Sequence, residues 1–224
     1  MKNILTMLAI MIGSVAISQN TVEKAVGEFK ELKVYDLIEV ELIKSKKNKV
    51  IISGKNAEDV VVVNKNGKLK IKMNLEESYD GSNTMVKLYY SSVDILDANE
   101  GAVISSKDKI KQFEIELRAQ EGGRINVDLK VSTAKIKSVT GGIIETSGKS
   151  EKQDISINTG GVYKGKELRT VTTNIAIRAA GEADVNASDL VDIKIRAGGD
   201  VFVYGNPERI DESRVIGGRI KRMD

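Results

Sequence analysis

The chain contains the segment IKSVTG at residues 136–141 and a close counterpart, ISINTG, at residues 155–160. In ISINTG apolar and polar side chains alternate, IKSVTG begins in the same way with Ile136 and Lys137, and a glycine ends both runs. A glycine returns in this way about every 19 residues, at Gly101, Gly122, Gly141, Gly160, Gly181 and Gly198. Alternation with period two is typical of strands that bury one face, so the sequence predicts a repeat protein built from short strands.

The segments before the glycines can be superimposed. Aliphatic residues stand five positions ahead of four glycines, namely Leu117, Ile136, Ile155 and Ile193. In the Gly181 copy, Ile175 and Ile177 are displaced by one position. One repeat cannot fold alone, because ordering each residue costs roughly 1–2 kcal/mol while each buried aliphatic returns only about 1.5–3 kcal/mol. The repeats must therefore stack.

A period near 19 suits one coil of a parallel β-helix, because a four-stranded propeller blade needs roughly 40 residues. We therefore predict an all-β fold with a β-solenoid from residue 96 onward. The glycines are expected at corners that require a positive φ or a close approach between coils. An antiparallel sandwich of short strands is the alternative fold, and the near-constant position of the glycines favours the coil.

Residues 19–95 differ from the repeats, since they carry longer alternating strands and few glycines. The step Asn66-Gly67 lies between two apolar runs, and such a step tolerates the positive φ of a hairpin turn. Residues 56–59 are the one stretch with a helical signal. We predict a β-rich N-terminal unit over residues 19–95, followed by repeats and a C-terminal cap over residues 96–224. Together these form one continuous domain.

The composition excludes several functional classes. The chain has no cysteine and no histidine, which removes thiolate nucleophiles, disulfides and the commonest general base and metal ligand. Its net charge is only +3 and both signs are interspersed, whereas nucleic-acid binding requires a clustered basic face. No nucleic-acid partner, metal or cofactor is predicted.

The N-terminus has the features of an export signal. Lys2 precedes an apolar run, and the small residues Ala16 and Ser18 fit a cleavage site. We predict a signal peptide over residues 1–18, cleaved after Ser18, and no transmembrane segment in the mature chain. The protein is expected in the periplasm, at the cell surface or outside the cell.

The glycine-centred copies, the Asn66-Gly67 hairpin and the closing segment at residues 197–207, AGGDVFVYGNP, occur together in this order. In these features the chain resembles the head GIN domain family of Bacteroidetes-type bacteria, often called "putative auto-transporter adhesins". The resemblance covers essentially the whole mature chain. It implies a right-handed parallel β-helix and a role in adhesion, and it assigns no catalytic or binding residues.

Two sets of residues are candidates for function. Four residues before the glycines, on the outward phase of the strands, lie Arg118, Lys137, Ser156 and Lys194. The three cations among them could form a ladder that binds an acidic polysaccharide or another anionic surface polymer. Solubility and protection of strand edges explain the same cations without any ligand.

Glu100 and Glu121 both directly precede a repeat glycine. In adjacent coils their carboxylates could approach the separation of roughly 5 Å that retaining glycosidases use. Solvated corner carboxylates are the simpler explanation.

Two hypotheses about function and a third, simpler one follow. We favour an exported, non-enzymatic β-helix that binds a surface polysaccharide or a cell-surface protein. The alternative is a carbohydrate-active β-helix enzyme, either a polysaccharide lyase or a glycosidase, although the short connections leave little material for a substrate cleft. The third is an envelope structural component without a soluble ligand. The sequence leaves the oligomeric state open.

Overall fold

The computed structural model describes residues 21–223. The predicted signal peptide, residues 1–18, lies outside the described residues. No helix within residues 21–223 is long and apolar enough to cross a membrane.

The described chain is almost entirely β-structure. Its seventeen strands are β1 Val22–Ala25, β2 Glu31–Val34, β3 Glu39–Lys44, β4 Lys49–Gly54, β5 Val60–Lys65, β6 Lys68–Met73, β7 Thr84–Tyr90, β8 Ile95–Ala98, β9 Val103–Ser106, β10 Ile110–Gln120, β11 Arg124–Val139, β12 Ile143–Asn158, β13 Val162–Ile177, β14 Glu182–Ala197, β15 Asp200–Tyr204, β16 Arg209–Ile216 and β17 Arg219–Arg222. A short 3-10 turn, Ala57–Asp59, confirms the helical signal of residues 56–59.

The strands form a β-solenoid of about 7 turns, roughly 19 residues apart. Strands β10 to β14 pair in parallel with their neighbours along the stack. This parallel pairing excludes the antiparallel sandwich. The aliphatic positions that the sequence superimposes lie side by side, in the order Leu117, Ile136, Ile155, Ile175 and Ile193. The displacement of Ile175 is absorbed by a register shift between Glu145 and Ser147 on β12.

The corner at Gly141 and Gly142 uses two glycines for two different reasons. Gly141 has φ 70°, follows Thr140 at φ 48°, and has open space where a Cβ would lie. Its role is conformational, because an L-residue rarely adopts this backbone geometry. A Cβ on Gly142 would lie 2.1 Å from the carbonyl oxygen of Ala119 in the preceding coil, so this position requires the close approach. Both predicted roles of the glycines are confirmed.

The interior is mainly aliphatic, with one polar cluster between β12 and β13. The hydroxyl of Tyr163 lies 2.6 Å from Oγ1 of Thr146 and also accepts a hydrogen bond from the amide of Gln153. Thr170 and Thr173 continue the cluster through hydroxyl groups 2.8 Å apart. Because these polar atoms find partners, the solenoid can bury them.

The coil pattern extends into the N-terminal unit. Strands β2 and β3 stack in parallel on β8 and β9, and β6 and β7 stack in parallel on β2 and β3. Beyond them the direction reverses, since β5 is antiparallel to β6 and β4 is antiparallel to β7 and β1. The turn at Asn66 and Gly67 joins β5 to β6, which confirms the predicted hairpin. The division at residue 95 stays a prediction.

Candidate functional site

The outward cations predicted from the sequence lie in one straight row. Arg118 is the register partner of Lys137, and the row continues through Ser156 and Ala176 to Lys194. We call these five residues the Arg118 row. Two uncharged residues separate Lys137 from Lys194, so the positive charge along the row is discontinuous.

A row of outward side chains that includes three acids runs directly beside the Arg118 row. Its members in successive coils are Glu116, Lys135, Asp154, Asn174 and Asp192. Arg118 Nε donates to Glu116 Oε1 at 2.6 Å, and Lys194 Nζ lies 2.8 Å from Asp192 Oδ2. Within residues 21–223, Lys137 is the cation of the row that forms no ion pair. The electrostatic character of this face is therefore mixed.

A shallow groove of about 320 Å³ follows the two rows across five coils. The nearly fully buried residues Ile136, Ile155 and Ile175 lie at its base, between charged side chains of both signs. This geometry suits contact with an extended surface or chain. It contains no enclosed pocket that could desolvate a reacting group.

The corner carboxylates occupy successive turns, as expected. The amide of Gly101 donates to the carbonyl oxygen of Glu121 at 3.0 Å, which stacks the two corners. The side chain of Glu121 is exposed, whereas Glu100 is half-buried beside another acid, Asp36. Burial raises the pKa of Glu100, and the negative charges of Asp36 and Glu121 raise it further.

Asp36 is the functional-site candidate that the sequence reasoning missed. Its carboxylate is 6% exposed and accepts hydrogen bonds from the backbone amides of Met73, at 2.9 Å, and Tyr79, at 3.2 Å. It lines a cavity of about 320 Å³ together with Tyr35, Lys70, Lys72, Met73, Ser78, Tyr79 and Glu100. The sequence holds a weak signal for this site, since the turn after β2 occupies the same corner position as the glycine turns but lacks glycine.

The Asp36 and Glu100 carboxyl groups line the same cavity, and the charge of Asp36 is near enough to raise the pKa of Glu100. Glycosidases hold their two carboxyl groups about 5–9.5 Å apart so that a sugar or water fits between them. Because Asp36 is fixed by two backbone donors, this pair is better suited to bracing the corner than to cleaving a glycan.

Asp200, which follows the glycine pair near the end of the repeats, forms a two-point ion pair. Arg219 Nε and Nη2 donate to its two carboxylate oxygens at 2.9 and 2.6 Å. This pairing lowers the pKa of Asp200. In the part of the chain that the structure describes, no group of three or more acidic side chains is placed to hold a metal ion.

Several solved structures share the fold. A "putative adhesin" from Bacteroides fragilis superimposes with a TM-score of 0.84 at 15% identity, covering 93% of this chain and 98% of that one. A "putative lipid binding protein" from Parabacteroides distasonis gives 0.71 at 16% identity, with 92% and 97% covered. A "putative adhesin" from Parabacteroides merdae gives 0.69 at 16% identity, with 92% and 96% covered. These likenesses establish the solenoid architecture.

No curated protein matches the chain. A family model does match it over residues 28–207, and its description is "Putative auto-transporter adhesin, head GIN domain". The match spans strands β2 to β15, which is most of the described fold. The chain therefore belongs to the head GIN domain family.

Proposed function

We propose that the protein is an exported, non-catalytic binding module of the adhesin type, which attaches to a component of a cell surface through the outer face of its solenoid. One observation carries the proposal: outward side chains of successive coils stand in straight rows. The Arg118 row and its acidic neighbour are the example described above. Such rows repeat every strand spacing, about 4.8 Å, and match extended ligands rather than small molecules.

Other evidence supports the same function. The family is described by the word adhesin, and two of the structural neighbours carry that word in their own descriptions. The predicted export signal would bring the protein to the compartment where adhesion takes place. Arg118, Lys137 and Lys194 stay candidate contact residues for a partner that presents charges of both signs.

A carbohydrate-active enzyme is the second candidate, and the cavity that contains Asp36 and Glu100 is the feature in its favour. The two backbone amides that hold the Asp36 carboxylate and the exposure of Glu121 weigh against it. The variant E100Q/E121Q removes both sequence-predicted carboxylates without changing side-chain size, so it tests this candidate directly.

The test is to incubate the protein, residues 19–224, with a panel of envelope and host polysaccharides while measuring retention and released oligosaccharides together. Saturable retention without products is the expected result. Products that disappear in E100Q/E121Q would replace the proposal with the enzyme. If neither retention nor products are observed, the proposal of polymer binding fails, and immobilised cell-surface proteins become the probe.

A further inference from the structure

A second row of cations runs along the solenoid on a different face. Lys111 is the register partner of Lys130, Lys130 of Lys149, and Lys149 of Arg169. We call these four residues the Lys130 row. All four side chains are exposed, and they occupy four successive coils without interruption.

The charges of the Lys130 row are uncompensated. Within residues 21–223, none of the four cations forms an ion pair, in contrast to Arg118 and Lys194. Asp128, one of the acids closest in sequence, is engaged by Lys109 at 3.1 Å. Glu167 is the register partner of Ser147, and Glu151 follows Lys149 by two positions. Within residues 21–223, neither acid forms an ion pair with the cations of the row.

Uncompensated like charges in neighbouring strands oppose folding. Successive members of the row are separated by about one strand spacing, 4.8 Å, and like charges directly opposite each other in a sheet are destabilising. A bound polyanion with charges along its length would relieve this repulsion. Solubility alone does not require the cations to be aligned, because scattered lysines serve that purpose equally well.

A groove of about 710 Å³ lies beside the row and is lined by three of its cations, Lys130, Lys149 and Arg169. Small polar side chains, Ser150, Thr170, Asn186 and Ser188, and one acid, Glu151, also line the groove. No aromatic side chain lines it, so it offers no platform on which nucleic-acid bases could stack. Hydroxyl-rich chains fit these surroundings better.

The row ends on polar and aromatic groups. Arg169 is the register partner of Asn186, and Asn186 that of Tyr204. Lys166 Nζ lies 5.0 Å from the centre of the Tyr204 ring. The amide of Asn186 and the hydroxyl of Tyr204 are groups that can form hydrogen bonds with the hydroxyls of a sugar.

We propose that the Lys130 row binds an acidic polysaccharide that lies along the solenoid axis, with its carboxylate or sulfate groups against successive cations. This inference rests on the proposed function, because it assigns the class of surface polymer and the face that receives it. It moves the acidic-polymer site from the Arg118 row, whose charges are largely neutralised, to a row whose charges are available.

The experiment compares two triple variants with equal loss of charge, K130Q/K149Q/R169Q and R118Q/K137Q/K194Q. Polygalacturonate is the acidic probe, dextran the neutral probe, and a DNA duplex the polyanion without sugar carboxylates. Affinities are measured by calorimetry at low and at physiological ionic strength. Circular dichroism and thermal melting establish that each variant is folded.

We expect the unaltered protein to bind polygalacturonate saturably, more weakly at higher salt, and to bind dextran poorly. K130Q/K149Q/R169Q should lose on the order of 10-fold or more in affinity, whereas R118Q/K137Q/K194Q should change it by about twofold or less.

Equal losses in the two variants would overturn the inference, since net charge rather than the row would then explain binding. DNA binding as tight as polygalacturonate binding would also overturn it. Loss confined to R118Q/K137Q/K194Q would overturn the inference while leaving the proposed function intact. If only neutral polymers of the polysaccharide panel were retained, the inference would likewise be overturned and the proposed function would stay intact.

Discussion

The two ends of the solenoid stop the stacking of coils by different means. At the N-terminal end the backbone direction reverses, and the antiparallel strands β4 and β5 cover the parallel β7 and β6. Core residues on β6, such as Leu69 and Ile71, are therefore fully buried. At the C-terminal end β16 and β17 continue the parallel stack, and nearly all of their side chains are exposed.

In the last coil the strand direction is unchanged, and the residue types at the inward positions differ from those of the preceding coils. Glu212 is the register partner of Ile193, and Arg214 that of Ile195, so charged residues take the inward positions that are aliphatic in the preceding coils. These two side chains pair with each other, with Nη2 3.4 Å from Oε1. Inward-pointing charges are one way in which proteins prevent edge-to-edge association. A solenoid can thus be ended by topology or by composition.

The largest expected effect concerns core packing at the two ends. Ile71→Ala should lower the free energy of unfolding by about 2–5 kcal/mol, because it leaves a cavity in a fully buried site. Ile220→Ala in the last coil should cost about 1 kcal/mol or less, because Ile220 is only partly buried. Urea unfolding of both variants measures the difference. Equal losses would mean that the last coil is as well packed as the first.

A second prediction tests the inward charges. E212I/R214I restores the aliphatic rows through the last coil, so we expect self-association through the C-terminal end that rises with protein concentration. Size-exclusion chromatography with light scattering measures the mass. The control E212Q/R214Q keeps these positions polar and should retain the mass of the unaltered protein. An unchanged mass in E212I/R214I would show that these charges do not block stacking.

The smallest effects are pH dependences of opposite sign. The pKa of Glu100 is higher in the folded protein than the value of about 4.3 expected in the unfolded chain. Its contribution to stability is therefore fully present below about 4.3 and is lost as pH rises through the folded pKa. The lowered pKa of Asp200 means that its contribution is present above about 3.9 and is lost as pH falls through its folded pKa.

Amide hydrogen exchange can follow the two sites separately. The amide of Leu37 donates to the carbonyl of Glu100, and that of Arg219 donates to the carbonyl of Gly199. Protection of Leu37 should decrease with rising pH after correction for intrinsic exchange, and E100Q should abolish this trend. Protection of Arg219 should decrease in acid, and D200N should abolish that trend. Trends of the same sign at both sites would contradict the assignment.

Local pattern was sufficient for the parts of the fold that repeat. Ile136 and Ile155 each stand five positions before a glycine, which predicted that they occupy equivalent positions in successive coils. They are register partners because both coils have the same alternation of inward and outward side chains. The Asn66-Gly67 hairpin was predictable because the positive φ of this turn is set by two residues alone. The inward charges of Glu212 and Arg214 could not be assigned, because the tail lacks the aliphatic alternation that defines phase.

For the candidate sites, the pattern predicted rows but not their electrostatic state. The alignment of Arg118 with Lys137 followed from the period, whereas the neutralising contact with Glu116 depends on how the side chains meet. Lys111, Lys130 and Lys149 also recur at intervals of 19 residues, so this row was present in the sequence. Its distinction from the Arg118 row required knowledge of which cations find partners.

The coil length, the inward aliphatic rows and the glycine corners follow from the sequence alone, because they depend on residue type and spacing within one repeat. The tertiary structure was needed to show that Asp36 and Glu100 share a cavity and that, within residues 21–223, the cations of the Lys130 row form no ion pairs. Such contacts join residues far apart in the chain, and the distances between their charged atoms arise only when the coils stack.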